Sequence, residues 1–166
     1  MSNVLVVADL HLGHRTILRH AAEAGAYRGG TTVAEHDAWV IERCLSAGPN
    51  KRTMWWLLGD IAMDLATLPL LDALPGRKRL VAGNHDLFPT AVYLRHVEWV
   101  GGTIKKYGLW FSHAPMHPEE LRGLSNVHGH CHHHTLRDDP RYLNCAIEWL
   151  PDNRPLTLEQ IRTRFA

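Results

Sequence analysis

Two short apolar runs, at residues 3–8 and 53–58, most constrain what this chain can fold into. Both runs are continuous rather than alternating and rich in Val, Leu or Trp, which is typical of strands covered on both faces. Residues 16–24 favour a short helix, and Thr32 with Glu35 forms a capping box that begins a second helix. Strands that alternate with helices in this way predict an α/β sheet.

The second half of the chain has a different pattern, in which strands follow one another without helices between them. Such strands should pair locally, so the sequence predicts a mixed sheet or two sheets packed together. A capping box of Thr157 and Gln160 begins a final helix. The other predicted elements after residue 60 are a helix at residues 65–74 and strands at residues 79–82, 103–113 with a break near Gly108, 125–128 and 142–149.

Length, charge and cysteine content narrow the class of protein. A chain of 166 residues suits one domain over residues 1–166. Its 18 basic and 17 acidic residues give a net charge of +1, so nothing demands a polyanionic partner or an anionic membrane. The three cysteines form no CxxC pair, which suits a reducing compartment. We expect neither a signal peptide nor a membrane span, and therefore a cytoplasmic protein whose oligomeric state is left open.

Polar residues follow the predicted strands at the points where those strands end. The first strand runs into Asp9 and His11, and in an extended segment residues i and i+2 face the same way. The same rule aims His130 and His132 together and turns Cys131 away. Ligands bind at the carboxyl ends of strands in open α/β sheets, so side chains from separate strands can meet there. The remaining strand-end residues are Asp60 after Gly59, then Asn84, His85 and Asp86 after Gly83, and His113.

This series of motifs resembles that of the calcineurin-like metallophosphoesterases. Within that family, the chain is similar to the small single-domain phosphoesterases of bacteria and their phages, which have no added cap domain. The resemblance implies a four-layer α/β/β/α sandwich of two mixed β-sheets flanked by helices. The motifs that carry the resemblance are Asp9-x-His11, Gly59-Asp60, Gly83-Asn84-His85-Asp86, His113 and Gly129-His130-x-His132, which span residues 9–132.

The resemblance also implies a centre of two divalent metal ions. By family pattern Asp60 bridges the ions; Asp9, His11 and His132 complete the first protein shell, and Asn84, His113 and His130 complete the second. Imidazole with carboxylate suits Mn, Fe, Zn or Ni better than Mg or Ca, and Mn is the first choice on family grounds. Two divalent ions balanced by two carboxylates keep a net positive charge, which suits a hydroxide and a phosphate group.

The expected reaction is hydrolysis of a phosphomonoester or phosphodiester, cyclic nucleotides included, by in-line attack of a metal-bridging hydroxide. His85, which by family pattern binds no metal, is the candidate general acid for the leaving oxygen. Either Asp86 or Asp64 is the carboxylate that orients it. His14 follows the first motif closely enough to reach a bound phosphate, and a capping role fits it equally well.

Two alternatives compete with a phosphoesterase acting on small phosphate esters. A nuclease of the same superfamily would act on nucleic acid, but the neutral charge argues against it, so nucleic acid enters only as a possible substrate. A catalytically silent metal-binding scaffold would normally lack ligands, and all seven are present. A metal store built on the histidines at 128–134 would leave the upstream motifs unexplained; His133 and His134 are expected at an exposed rim.

Overall fold

Nine strands form two mixed sheets in the computed structural model, which describes residues 3–132 and 139–166. The larger sheet has the order β4-β3-β2-β1-β9, in which β1 to β4 are parallel and β9 is antiparallel to β1. Its strands are β1 (Val4–Val7), β2 (Met54–Leu57), β3 (Arg77–Val81), β4 (Trp99–Gly101) and β9 (Leu156–Thr157).

The smaller sheet contains the strands of the second half of the chain, paired in sequence order as predicted. The first pair is antiparallel and the other two pairs are parallel. These strands are β5 (Ile104–Lys106), β6 (Leu109–Phe111), β7 (Ser125–His128) and β8 (Tyr142–Asn144). The predicted break near Gly108 separates β5 from β6. The predicted α/β fold of two mixed sheets with helices is therefore confirmed.

Four α-helices and four 3₁₀ helices accompany the sheets in the described residues. Both predicted capping boxes form: Glu35 N donates to Thr32 Oγ1 at 3.2 Å and Gln160 N donates to Thr157 Oγ1 at 3.1 Å. The α-helices are α1 (Ile17–Glu23), α2 (Val33–Ser46), α3 (Thr90–Tyr93) and α4 (Leu158–Arg164), and the 3₁₀ helices are Leu65–Ala73, Pro118–Leu121, Ile147–Trp149 and Pro151–Asn153. No helix in these ranges is long and apolar enough to cross a bilayer.

The hydrophobic core lies between the sheets. Trp56 from β2 stacks on Phe111 from β6, with ring centroids 5.5 Å apart and an interplanar angle of 3°. Every residue of β1 and β2 is buried, as the continuous apolar runs predict. Full burial of one such side chain typically stabilises a fold by about 1.5–3 kcal/mol, so these two strands anchor the loops that follow them.

Two predicted elements differ from the structure. The predicted strand at residues 142–149 ends at Asn144, because the Asn144 side chain accepts a hydrogen bond from Ala146 N at 2.9 Å and turns the chain into the 3₁₀ helix Ile147–Trp149. The helix Leu65–Ala73 is of 3₁₀ type and contains Pro69, which has no N–H to donate to a regular α-helical turn. The strands β4 and β9 and the helix α3 are not predicted.

Candidate metal centre

Side chains from the ends of β1, β2, β3, β6 and β7 meet in two adjacent groups. The first group contains Asp9, His11 and His132. His11 Nε2 lies 3.2 Å from His132 Nε2 and 3.7 Å from Asp9 Oδ1, and His132 Nε2 lies 3.9 Å from the same oxygen. Two imidazole nitrogens and one carboxylate oxygen thus surround a common point.

The second group contains Asn84, His113 and His130. Asn84 Oδ1 lies 2.9 Å from His113 Nε2 and 2.8 Å from His130 Nδ1, and these two nitrogens are 3.2 Å apart. His113 Nδ1 donates to the carbonyl oxygen of Leu58 at 2.8 Å, which directs Nε2 at Asn84 and His130.

Asp60 lies between the two groups. Its Oδ2 is 3.4 Å from His113 Nε2 and 3.9 Å from His11 Nε2, so one oxygen faces both. Its Oδ1 accepts a hydrogen bond from the backbone N–H of His85 at 2.9 Å. This single oxygen is therefore within 4 Å of an imidazole nitrogen from each group.

The backbone at these positions is not extended, which corrects the prediction that residues i and i+2 face the same way there. Left-handed φ values, each costing of order 1–3 kcal/mol, occur at nine described non-glycine residues. Five of the nine are at this site: Asp9 at 57°, His11 at 53°, Asp60 at 52°, His130 at 68° and His132 at 42°. His130 and His132 consequently point into different groups. Long-range hydrogen bonds such as Asp9 N to Gly59 O, 3.0 Å, hold this conformation.

Three glycines make room for the ligand side chains themselves. A Cβ on Gly59 would collide with His113 Nδ1, one on Gly83 with Asp60 Oδ1, and one on Gly129 with Asp9 Oδ2. From the sequence, we expect these glycines to let the backbone approach a bound group. In the structure they instead let the backbone approach the ligand side chains.

Gly83→Ala is therefore expected to displace Asp60 and to weaken metal binding by at least tenfold while the fold is retained. The added methyl group would meet both the carboxylate and the backbone nitrogen of Asp60, which cannot move aside together. Calorimetric titration with Mn²⁺, beside a thermal melt, measures the effect. Gly102→Ala is the matched control, because a Cβ there meets nothing within 4 Å. Equal affinities in the two variants would contradict the steric account.

The pKa values of Asp9, Asp60 and His113 show that the site favours a positive charge. Burial raises the pKa of Asp9 to about 6. Burial also opposes ionisation of Asp60, but the hydrogen bond and positive charge of His113 outweigh it and lower the pKa of Asp60 to about 2. The same pairing with Asp60 overcomes the burial of His113 and raises its pKa to about 9. The proton on His113 thus balances the negative charge of Asp60. A bound metal ion would balance that charge in its place.

A second observation, independent of the pKa values, shows that the first group is suited to a metal ion. Asp9 Oδ1 is buried and has no hydrogen-bond partner among the described residues. An unsatisfied buried carboxylate oxygen costs free energy unless a cation or donor meets it. The two imidazole nitrogens nearest to this oxygen, from His11 and His132, face it without bonding to it. A cation at this point would satisfy all three atoms.

His85 lies beside the site, whereas its two predicted carboxylate partners are bonded to backbone amides. The imidazole of His85 is exposed beside the site, with its ring centroid 6.0 Å from that of His11, and within the described chain it forms no side-chain hydrogen bond. Asp86 accepts from the backbone N–H groups of Asp60 and Gly83, both at 2.8 Å, and from that of Ile61.

Neither candidate carboxylate forms a hydrogen bond with the His85 ring within the described residues. Asp86 uses its two oxygens to hold the loops after β2 and β3 together. Asp64 instead caps a 3₁₀ helix by accepting from Ala66 N at 2.9 Å. Burial raises the pKa of Asp86, although the hydrogen bonds from the three backbone amides act in the opposite direction.

The remaining predicted histidines divide into one at the site and several elsewhere. The ring centroid of His14 lies 5.4 Å from that of His11, and His14 Nδ1 also accepts from Thr16 N at 3.3 Å. His128 is fully buried in β7, where its Nδ1 donates to the carbonyl oxygen of Gly129 at 2.8 Å. His133 and His134 lie outside the described residues.

Sequence reasoning missed a buried ion pair behind the first group. Glu148 accepts from His132 Nδ1 at 2.5 Å and from Arg28 Nη2 at 2.6 Å. The hydrogen bond to Nδ1 leaves Nε2 of His132 directed at the site. Burial disfavours the Glu148 carboxylate, but the charge of Arg28 and the bond from His132 outweigh it and lower the pKa of Glu148 to about 2.

Arg28 connects this pair to the loop that carries the first ligands. Its guanidinium donates to the carbonyl oxygens of Asp9 at 2.5 Å and Leu10 at 3.1 Å. The ion pair thus fixes both the backbone of one ligand and the ring of another. No pattern signals it, because Arg28 and Glu148 are 120 residues apart and neither follows a predicted strand.

Glu148→Gln is expected to weaken Mn²⁺ binding by roughly 10–100-fold, the usual effect of removing a carboxylate that supports a histidine ligand. The amide accepts a weaker hydrogen bond from His132 and leaves Arg28 without its buried counter-charge. Titration followed by the paramagnetic signal of free Mn²⁺ gives the affinity. Glu120→Gln, at an exposed glutamate that pairs with Arg122, is the control. An unchanged affinity in Glu148→Gln would show that the ion pair serves the fold alone.

Together, the sheets and the convergent side chains define an α/β protein with a candidate metal-binding site where its strands end. No family model matches the chain. It is 28% identical to the Gene 66 protein of Mycobacterium phage D29, over 94% of this chain and 93% of that protein. It is 34% identical to the Gene 66 protein of Mycobacterium phage L5, over 52% of this chain and 41% of that protein.

A solved structure has a similar fold. It is that of a protein of unknown function, AQ665, from Aquifex aeolicus, with a TM-score of 0.72, 22% sequence identity, and coverage of 97% of this chain and 98% of that one. At this identity the likeness concerns the fold alone, so function rests on the side chains of the candidate metal centre.

Proposed function

We propose that this protein is a dinuclear metal-dependent phosphoesterase of the calcineurin-like type. The observation that carries the proposal is the position of Asp60, whose Oδ2 faces His113 on one side and His11 on the other, at 3.4 and 3.9 Å. A single metal ion would need only one of the two groups. Two groups that share one carboxylate oxygen are suited to a pair of ions.

Asp9, His11 and His132 would hold one ion, Asn84, His113 and His130 the other, with Asp60 shared. When bound, two divalent ions supply Lewis acidity for the attack of water at phosphorus and for charge developing on the phosphoryl oxygens. The imidazole, carboxylate and amide donors favour Mn, Fe, Zn or Ni, and Mn is our first choice.

His85 is the residue of this chain that we assign to proton transfer. Its imidazole is exposed beside His11 of the first group, and its backbone N–H donates to Asp60 Oδ1 at 2.9 Å, which holds the residue next to the shared carboxylate. We infer that the ring donates a proton to the leaving oxygen of the ester. Because no described carboxylate restrains the ring, it can turn toward leaving groups of different shape.

A reducing, cytoplasmic setting is part of the proposal. Cys44 and Cys145 are buried and Cys131 is half-buried, and all three are free thiols. Burial raises the pKa of Cys44 to about 12, which keeps that thiol protonated and inert.

The proposal is tested by metal stoichiometry together with a substrate panel. Protein equilibrated with Mn²⁺ and freed of excess ion should retain two ions per chain by elemental analysis. It should hydrolyse at least one of nitrophenyl phosphate, bis-nitrophenyl phosphate, 2′,3′- or 3′,5′-cyclic nucleotides, and single-stranded or duplex DNA. Several weakly held ions without hydrolysis would indicate metal storage, and two tight ions without hydrolysis would indicate a silent scaffold.

A further inference from the structure

A cavity of about 490 Å³ opens directly from the candidate metal centre. One end is formed by His11 and His132 of the first group together with His85. The opposite side is formed by α1 and the turn that follows it. The volume lies in the lower half of the range of roughly 300–1,000 Å³ that is typical of small-molecule sites.

The wall contributed by α1 combines apolar side chains with His20 and the exposed Glu23. Ile17 and Ala21 are 5% and 7% exposed, and Ala24 and Ala26 continue the same wall. Alanines at these positions leave space that larger side chains would fill. Such a wall gains free energy by covering an apolar group of a ligand and gains nothing from covering a charged one.

The charged groups around the cavity argue against a polyanionic ligand. Of the described residues that line it, none is Lys or Arg; the acidic ones are Glu148, paired with Arg28, and the exposed Glu23. Additional phosphates of a nucleic acid or a polyphosphate chain are ordinarily held by Lys and Arg. Here they would meet apolar carbon and a carboxylate.

Imidazole rings line the path from the metal end to the wall. His11 and His14 are in edge contact, with centroids 5.4 Å apart at 85°, and His14 and His20 follow at 6.1 Å and 64°. The three rings present flat aromatic surfaces and edges beside the alanines. Aromatic ligands pack well against such surfaces, by stacking or by edge-to-face contact.

We propose, on the basis of the phosphoesterase function above, that this cavity selects esters with one phosphate group and one compact, uncharged aromatic substituent. The phosphate lies at the His11, His85 and His132 end, and the aromatic group lies against Ala21 and Ala24. The preferred substrate class is thus small aryl or nucleoside phosphate esters rather than polyphosphates or polynucleotides.

Two uncharged probes, adenosine and 1-naphthol, test the cavity without any hydrolysis. Binding to the whole chain equilibrated with Mn²⁺ is measured by saturation-transfer NMR and titration. Ala21→Leu and Ala24→Leu each fill the cavity, and binding should weaken roughly tenfold or more in both. Ala22→Leu is the matched control, because Ala22 lies on the exposed face of the same helix. Thermal melts exclude variants that fail to fold.

A kinetic comparison tests selection in catalysis. Phenyl and 1-naphthyl esters have leaving groups of similar acidity, so Ala21→Leu should raise KM for the naphthyl ester more than for the phenyl ester. Adenosine monophosphate derivatives should be better substrates than the corresponding triphosphates.

Probe binding that is equal in wild type, Ala21→Leu and Ala22→Leu, or a preference for triphosphates, would overturn the inference. Expected probe binding without hydrolysis of any ester would support the cavity and reject the phosphoesterase; hydrolysis without probe binding would do the reverse.

Discussion

Asp60→Asn is expected to lower metal content and to abolish phosphoesterase activity together. The Oδ2 atom of Asp60 is the atom within 4 Å of both His11 Nε2 and His113 Nε2. An asparagine keeps the shape but removes one of the two carboxylate charges of the group, and its nitrogen cannot bind a cation. Loss of charge stabilisation worth several kcal/mol lowers kcat by on the order of 10³-fold or more.

The measurement pairs elemental analysis of the Mn²⁺-equilibrated protein with initial rates on the best substrate of the panel. Asp72→Asn, at an exposed aspartate that pairs with His96, controls for the loss of one negative charge. Two fully retained ions in Asp60→Asn would show that this carboxylate is not shared between cations. A normal rate with reduced metal would show that one ion suffices.

His85→Ala should leave both metal ions bound and slow hydrolysis of esters with poor leaving groups by roughly 10²–10⁴-fold, the usual range for a general acid. Metal binding is preserved because His85 holds Asp60 through its backbone N–H, which alanine retains. Esters of nitrophenol should be slowed less, since nitrophenolate leaves without a proton.

Rates on nitrophenyl and alkyl esters, with metal content measured on the same samples, distinguish the two effects. His96→Ala is the control for removal of a histidine away from the centre. Equal slowing of both esters would reject proton donation by His85 and assign its effect to substrate binding. A lost metal ion would instead place the ring among the ligands.

The meeting of Asp9, Asp60 and Asn84 was predictable because it depends on topology. Strands β1, β2 and β3 are parallel neighbours, so the residues that follow them meet at one edge of the sheet. Continuous apolar runs identify β1 and β2, and the residues after them are read directly from the sequence. The capping boxes at Thr32 and Thr157 were predictable for a similar reason, since each depends on residues only three apart.

Other parts of the site depend on interactions that no local pattern encodes. Asp9 and His11 adopt left-handed conformations that are uncommon for non-glycine residues, and hydrogen bonds to the loop after β2 offset the cost. Glu148 lies within a segment predicted as strand, and its role depends on Arg28 from the other end of the chain. Asp86 sits next to His85 in sequence, yet its oxygens are used by backbone amides.

The left-handed backbone conformations also have a consequence for the exchange of metal ions at the site. Backbone hydrogen bonds between distant segments and closely fitted glycines hold the ligand loops, so contacts within the protein help to set their geometry. One ion can then leave and another enter without rebuilding the frame around them. For such a site, we expect the metal ions available in the cell, rather than folding, to decide which ion is bound. Activity should then follow the metal content of the growth medium.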